Sequence, residues 1–253
     1  MRIDINSDLG ESFGAYTIGH DVGLMKSITS ANIAAGFHAG DPSVLRETIR
    51  LAKAQDVAVG AHPGFPDLVG FGRRELNVTL KEAEDMVLYQ IAAVSGVAAA
   101  EGVKVQHVKP HGALFNMAVR NVELATAIAK AVAAFDRSLI LFGLPGSEIL
   151  NAGRAAGLRV AAEVFADRAY EADGSLASRR KPGSVIHDAG AVVARAVRMV
   201  KERTVVAIDG STLRLEADTI CVHGDTPGSD DLAAQIRAGF EAVGVTVRAI
   251  GAA

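Results

Sequence analysis

Carboxylate, imidazole and ammonium side chains recur at the carboxyl ends of the β-strands that the sequence predicts. The candidate catalytic residues at these places are Asp8, His38, His62, Lys109, His111, Glu163, His223 and Asp225. In parallel barrels and open parallel sheets alike, catalytic residues gather at the carboxyl ends of the strands. Converging buried polar groups cost stability unless they are paired or used, so this set predicts a functional cleft.

The residue types in this set indicate either general acid–base hydrolysis or a divalent metal site. The sequence has no His-Glu-x-x-His motif and no cysteine cluster, so no metal ligand is assigned. Asp8, His62 and His223 are still free to meet in space, which leaves a divalent metal open. A Gly-x-x-x-x-Gly-Lys-Ser/Thr phosphate loop is absent, so a nucleotide needs another site or another chain.

Alternation along the strands tells which way the polar side chains point. Successive side chains of a strand point to opposite faces of the sheet. The polar residues that share a face are Asp4, Asn6 and Asp8 in the first strand, His107, Lys109 and His111 in the fourth, and Cys221, His223 and Asp225 in the last. We expect these faces to point into a barrel and the apolar faces to lie under helices. Gln106 breaks the pattern.

Short β-branched runs alternate with longer helical patterns, which is typical of βα units on a parallel sheet. The predicted strands are Arg2–Asn6, Asn32–Gly36, Val57–Ala61, Lys104–Lys109, Leu139–Gly143, Leu158–Glu163 and Thr219–His223. The predicted helices, with their caps, are Pro42–Gln55, Thr79–Glu101, Val119–Phe135, Ser147–Ala156, Asp188–Lys201 and Ser229–Val243. Asp41 before Pro42 is a predicted N-cap, and Thr79 with Glu82 is a predicted capping box.

These units predict an α/β fold: a single (β/α) barrel-like domain over residues 1–253 with about seven parallel strands. A doubly wound open sheet is the competing architecture. Insertions are expected near 64–77, 164–186 and 205–215, the last as a hairpin turning at Asp209-Gly210. The basic run Arg179-Arg180-Lys181 in the second insertion is either an anion site or an exposed solvated loop.

Composition limits the class of protein. Apolar residues make up 49% of the chain, and 26 basic against 29 acidic side chains give a net charge of −3, which argues against a broad nucleic-acid surface. The longest uncharged stretch, Met86–Ala100, is too short to span a membrane. Asp4 and Asp8 do not fit a signal peptide, and the lone Cys221 suits a reducing compartment, so a cytoplasmic location is expected.

Several sequence blocks resemble the LamB/YcsF family. They occur in the family's order across nearly the whole chain, from residue 4 to residue 225. The blocks are Asp4–Gly14, Asn32–Asp41, Gly60–Asp67, Phe71–Arg74, Val108–Phe115, Glu163–Tyr170 and Val222–Asp225. The resemblance implies a barrel of the glycoside hydrolase/deacetylase type. It also implies an ATP-dependent 5-oxoprolinase, in which this chain acts with partner subunits B and C to open 5-oxo-L-proline to L-glutamate.

On this hypothesis each strand-end residue has its own role in the ring opening. Asp8 or Glu163 is the base toward water, and Lys109 holds a substrate carboxylate or phosphate. The three histidines that donate protons or bind the oxyanion are His38, His62 and His111. Asp225 orients His223. Since the chain has no phosphate loop, the partner subunits are expected to perform or share the activation by ATP.

Two alternatives remain open from the residues alone. One is a metal-dependent, deacetylase-type hydrolase that works without partners. The other is a non-catalytic scaffold subunit that docks its partners through 164–186. The oligomeric state is also open, and a homo-oligomer is compatible with the sequence.

Overall fold

A closed barrel of seven parallel strands forms the centre of the molecule. The computed structural model describes residues 1–251. The barrel strands are β1 (Arg2–Leu9), β2 (Ser30–Ala34), β3 (Ala58–His62), β4 (Val105–Val108), β5 (Ile140–Gly143), β6 (Arg159–Phe165) and, after a hairpin, β9 (Thr219–Val222). The ring closes because β9 pairs with β6 on one side and with β1 on the other. The predicted parallel barrel is confirmed, and the open sheet is wrong.

Two further pairings lie outside the ring. A short strand, β10 (Thr246–Val247), pairs with Arg2 and Ile3 at the start of β1, and the sequence analysis missed it. The antiparallel strands β7 (Thr204–Val206) and β8 (Thr212–Arg214) form the hairpin predicted around Asp209-Gly210. Gly210 has φ 88°, a left-handed conformation that glycine adopts without a steric cost, as the turn requires.

Helices cover the outside of the barrel. They are α1 (Asp21–Leu24), α2 (Pro42–Ala54), α3 (Leu80–Ala100), α4 (Gly112–Ala118), α5 (Val122–Phe135), α6 (Glu148–Ala155), α7 (Ala189–Lys201) and α8 (Ser229–Ala242). Both predicted caps are present: Asp41 accepts from the backbone N–H groups of Ser43 and Val44, and Thr79 and Glu82 form a capping box. None of these helices is long and apolar enough to cross a membrane.

One predicted helix is wrong at its start. The helix expected over Val119–Phe135 is α5, which begins three residues later, at Val122. Asn121 sets this start because its side chain accepts a hydrogen bond from the backbone N–H of Leu124 and so caps the helix. The sequence pattern also missed α4, whose first residue directly follows His111.

The strand faces divide as the alternation predicts. Ile3, Ile5 and Leu9 of β1 are fully buried in the apolar layer between barrel and helices. Polar side chains of β1 and β9, together with Lys109 just after β4, fill the interior, where they contact one another across the barrel. Gln106 breaks the alternation because it is the extra residue of a β-bulge: Val105 pairs with Val59, but His107 already pairs with Gly60.

Candidate active site

A cavity of about 950 Å³ opens at the carboxyl ends of the barrel strands. Its size falls within the ~300–1,000 Å³ range of small-molecule sites. The candidate catalytic residues that line it are Asp8, His62, Lys109, His111 and His223. Asp8 lies in β1 and His62 in β3, and the other three residues lie within three positions of the ends of β4 and β9. The cavity therefore occupies the place where the strand-end residues were expected to meet.

Lys109 is the central cation of the barrel interior. Its Nζ lies 2.8 Å from Oδ1 of Asp8 and 2.8 Å from Oε1 of Glu163. Nζ also donates to Sγ of Cys221 at 3.1 Å. Burial alone would lower the pKa of Lys109, but the acidic groups around it, Asp8 foremost, together outweigh this and hold the pKa well above its usual range. Lys109 is therefore a charged ammonium held between two carboxylates.

The two carboxylates beside Lys109 differ in environment. Glu163 is fully buried, and burial raises its pKa even though Lys109 lies beside it. Burial would also raise the pKa of Asp8, but the charges of His62 and Lys109 hold it well below its usual range. Asp8 is thus the ionised carboxylate that faces the cavity, whereas Glu163 lies beyond Lys109 and does not line the cavity.

His62 and His111 form a contacting pair whose outer ring nitrogens are fixed. Nδ1 of His62 lies 2.7 Å from the carbonyl oxygen of Lys109, and Nε2 of His111 lies 2.8 Å from that of Phe71. A carbonyl oxygen only accepts, so both outer nitrogens carry protons. The inner nitrogens, Nε2 of His62 and Nδ1 of His111, face each other at 2.9 Å. Two lone pairs would repel at this distance, so the contact requires a proton or another cation between them.

His38 does not reach the cavity. Its ring stacks on that of His111, with centroids 3.7 Å apart and an interplanar angle of 6°. Burial lowers the pKa of His38 well below its usual range, so the ring is neutral. Glu11, a buried carboxylate missed by the sequence analysis, faces this ring with Oε1 3.5 Å from Nε2 of His38. Its only sequence signal is its place three residues after Asp8.

His223 is oriented by Asp167 and not by Asp225. Nδ1 of His223 lies 2.8 Å from Oδ2 of Asp167, and both side chains are buried. Asp225 instead pairs with Arg73 at 2.6 Å, so the expected role of Asp225 is wrong. Asp167 escaped notice because it follows β6 in a loop, where alternation along a strand gives no direction. A carboxylate on Nδ1 leaves Nε2 of His223 as the nitrogen able to take a proton.

Hydrogen bonds between interior side chains support the site from below. The amide of Asn32 donates to Asn6 and to Asp8 at 2.8 and 2.9 Å. His107 lies 2.8 Å from Oδ1 of Asn32 and stacks on Phe142, and burial lowers its pKa to about 3. A neutral His107 therefore donates to Asn32 and so fixes which amide atoms face Asp8.

Basic side chains surround the cavity mouth. Arg73, Arg168 and Arg179 line it, and burial together with the charge of Arg179 lowers the pKa of Arg168 to about 10. Two residues of the basic run, Arg179 and Arg180, face the cavity, whereas Lys181 pairs with Glu171. The mouth is thus cationic, and it leads to a floor that holds Asp8 and Lys109.

Histidines, carboxylates and a buried lysine converge at the strand ends of this closed parallel barrel. This arrangement defines the protein as a barrel enzyme that uses acid–base chemistry. The LamB/YcsF family model matches residues 3–253, and the chain belongs to this family. This confirms the resemblance found in the sequence blocks.

Two curated relatives and one solved structure match the chain over nearly its full length. A protein of Tolumonas auensis, named as the A subunit of 5-oxoprolinase, is 53% identical over 249 residues, which cover 98% of this chain and 99% of that protein. A protein of the same name from Thermococcus onnurineus is 54% identical over 251 residues, covering 99% and 98%. The lactam utilization protein of Thermus thermophilus superposes with a TM-score of 0.93 at 51% identity, covering 98% and 100%.

Proposed function

We propose that this chain is the A subunit of an ATP-dependent 5-oxoprolinase and that its barrel cavity hydrolyses the lactam ring of 5-oxo-L-proline to give L-glutamate. The observation that carries the proposal is the match, over 98% of the chain at 53% identity, to a relative named for this activity. The solved relative from Thermus thermophilus is named for the use of lactams, which agrees with it. The cavity supplies the groups that a lactam hydrolysis needs: a base, a proton donor and cations for an anionic substrate.

In this proposal the partner subunits carry out the activation by ATP. A lactam carbonyl is a poor electrophile, and transfer of a phosphoryl group to its oxygen activates the ring carbon. Addition of one water to that carbon and rupture of the carbon–nitrogen bond give an acyl phosphate and a free amine. A second water then releases phosphate and leaves glutamate. The absence of a phosphate loop in this sequence favours activation by subunits B and C and ring opening here.

His223 is the base in this scheme. Asp167 holds the proton of Nδ1, so Nε2 of His223 removes a proton from the attacking water and returns it to the departing ring nitrogen. This division revises the expectation that Asp8 or Glu163 is the base. Glu163 has no access to the cavity, and Asp8 is held as a weakly basic carboxylate by His62 and Lys109.

Asp8 and Lys109 balance each other's charge at the cavity floor. Lys109 has three protons to donate and already faces Asp8, Glu163 and Cys221, so it holds Asp8 in place and offers its charge to the cavity. The cationic mouth, with Arg73 and Arg179, attracts the carboxylate of the substrate and any phosphoryl group on it. His38 lies behind His111 and takes no direct part.

Reconstitution tests the proposal. The purified chain is mixed with its partner subunits, ATP and 5-oxo-L-proline, and glutamate is measured enzymatically. We expect glutamate only when the partners are present, and a His223→Asn chain to lower kcat by about 100-fold to 10,000-fold. His20→Asn is the matched control, because His20 is an exposed histidine paired with Asp230 at the surface. No glutamate with all partners present contradicts the function, and full activity of the chain alone contradicts the division of labour.

A further inference from the structure

Four donor atoms from four separate segments converge beside the cavity. Glu11, His38, His62 and His111 each offer one donor atom, and these four atoms lie within 4.8 Å of one another. All four residues are buried. His62 and His111 also line the cavity, whereas Glu11 and His38 do not. Three imidazoles and one carboxylate form this set, which is called the Glu11 cluster below.

Two of the imidazoles direct their inner ring nitrogens toward the centre of the Glu11 cluster. His62 and His111 give their outer N–H groups to the backbone carbonyls of Lys109 and Phe71. Metal-bound histidines almost always make such a bond, because it fixes the ring and directs the lone pair of the other nitrogen at the metal. Here the two inner nitrogens lie 2.9 Å apart, a separation that a shared proton or a shared metal ion accounts for.

The other two members of the Glu11 cluster have no hydrogen-bond partner. Both ring nitrogens of His38 and Oε1 of Glu11 are buried without one. A buried polar atom left unpaired costs about 1–3 kcal/mol, so Oε1 of Glu11 and the His38 nitrogen that faces it, Nε2, point to a missing ligand. A bound cation would satisfy both of these atoms.

The spacing of the donor atoms suits a small ion with nitrogen and oxygen ligands. Zinc–ligand bonds of about 2.0–2.1 Å in a tetrahedron place neighbouring donors about 3.3 Å apart. Three of the six separations are 2.9 Å between His62 and His111, 3.5 Å between His38 and Glu11, and 3.8 Å between His111 and Glu11. All six are within 4.8 Å, so a modest inward movement of the side chains would complete a tetrahedron.

Two glycines leave room for the rings of His38 and His111. A Cβ on Gly72 would lie 2.7 Å from Cβ of His38 and 2.8 Å from Cδ2 of His111. A Cβ on Gly64 would lie 2.6 Å from Nδ1 of His38. The stacked rings are therefore held between two glycines, which leaves them few alternative orientations. Such preorganisation is what a metal site needs.

We propose that Glu11, His38, His62 and His111 bind one divalent transition-metal ion, of which Zn²⁺ is the best match. Imidazole suits zinc and its neighbours in the transition series, whereas magnesium and calcium prefer sites made entirely of oxygen. This site is separate from the His223–Asp167 pair and does not depend on the proposed function.

Metal binding by the full chain tests the site directly. Chelator-treated protein is titrated with Zn²⁺ by calorimetry and with Co²⁺ by visible absorption, without any activity measurement. We expect one ion per chain and the intense visible bands of tetrahedral Co²⁺. Glu11→Gln and His38→Asn, which keep the approximate side-chain shape, should each weaken Zn²⁺ binding at least about 100-fold. His223→Asn is the control, because Asp8, Cys221 and His223 form a second group of convergent donors.

Three outcomes would overturn the proposal: no stoichiometric binding by the unaltered chain, unchanged affinity in folded Glu11→Gln and His38→Asn chains, or loss of binding in His223→Asn alone. Circular dichroism shows whether each variant is folded. The Co²⁺ spectrum of the unaltered chain decides the matter even if the variants fail to fold. A thiolate-to-cobalt charge-transfer band would place the ion at Cys221, whereas the Glu11 cluster contains no sulfur and gives no such band.

Discussion

Nζ of Lys109 lies 2.8 Å from Oε1 of Glu163 inside the barrel, where the side chains are only 4% and 0% exposed. Lys109 was expected to hold a substrate group, and Glu163 was expected to be one of two candidate bases. The ion pair instead makes Glu163 the buried partner of Lys109. Two charges this deeply buried are tolerated only because they face each other, so each depends on the other for its place in the fold.

Removing Lys109 should destabilise the chain strongly. Lys109→Met keeps the length of the side chain but leaves Asp8 and Glu163 without their cation, and we expect the free energy of unfolding to fall by about 3–5 kcal/mol. Urea unfolding followed by circular dichroism measures the change. In the double variant Lys109→Met/Glu163→Leu one of the two carboxylates is gone, so part of the stability should return. Equal stabilities of the single and double variants would argue against the pair.

Asp167→Asn should impair turnover more than Asp225→Asn. The asparagine amide can donate to Nδ1 of His223, which would place the proton on Nε2 and prevent His223 from acting as a base. We expect kcat of the reconstituted complex to fall by about 100-fold to 10,000-fold with a small change in KM. A pH profile of kcat separates this effect from a loss of fold. A larger loss in Asp225→Asn would restore the role that the sequence suggested for Asp225.

The sequence predicted the barrel and much of the site because both depend on local patterns. Alternating polar and apolar residues in a strand identify its inward face, and this placed Asp8, Lys109 and His223 correctly at the cavity. The capping residues at Asp41 and Thr79 likewise located two helix starts within a residue. Such signals need no knowledge of the distant chain.

The missed features depend on how loops fold back over the barrel. Glu11 and Asp167 lie just beyond strand ends, where side-chain direction follows the path of the loop and not the period of the strand. Arg73 is close to Asp225 only in space, since the two are separated by 152 positions in the chain. No local pattern distinguishes Asp167 from Asp225 as the partner of His223. That choice is made by tertiary packing.

Two glycines offer a matched pair of substitutions with opposite effects. A Cβ on Gly60 would lie 2.1 Å from Nε2 of His107, a ring that is fully buried and stacked on Phe142. Gly60→Ala should therefore lower the free energy of unfolding by about 1–3 kcal/mol or more. Gly96 lies in α3, and a Cβ there would meet no atom within 4 Å. Gly96→Ala should raise stability by about 0.5–1 kcal/mol. Urea unfolding of both variants checks the prediction, and equal shifts would contradict it.

Glu101 at the end of α3 should make stability depend on pH in the acid range. Hydrogen bonds from Arg50 and Arg46 of α2 lower its pKa from 4.5 to about 2. A carboxyl group with a lower pKa in the folded state binds fewer protons there than in the unfolded chain. Its stabilising contribution is therefore complete above pH 4.5 and is lost as the pH falls toward 2. The contribution is small because the group is at the surface.

Melting curves at several pH values isolate this contribution from that of the other carboxylates. The difference in Tm between the unaltered chain and Glu101→Gln should be largest above pH 4.5 and should shrink toward pH 2. It should also shrink in high salt, because exposed ion pairs are screened. Glu84→Gln, on the same helix, is the matched control and should show no comparable trend. A Tm difference for Glu101→Gln that grows on acidification would mean that the arginines of α2 do not hold this carboxylate in its charged form.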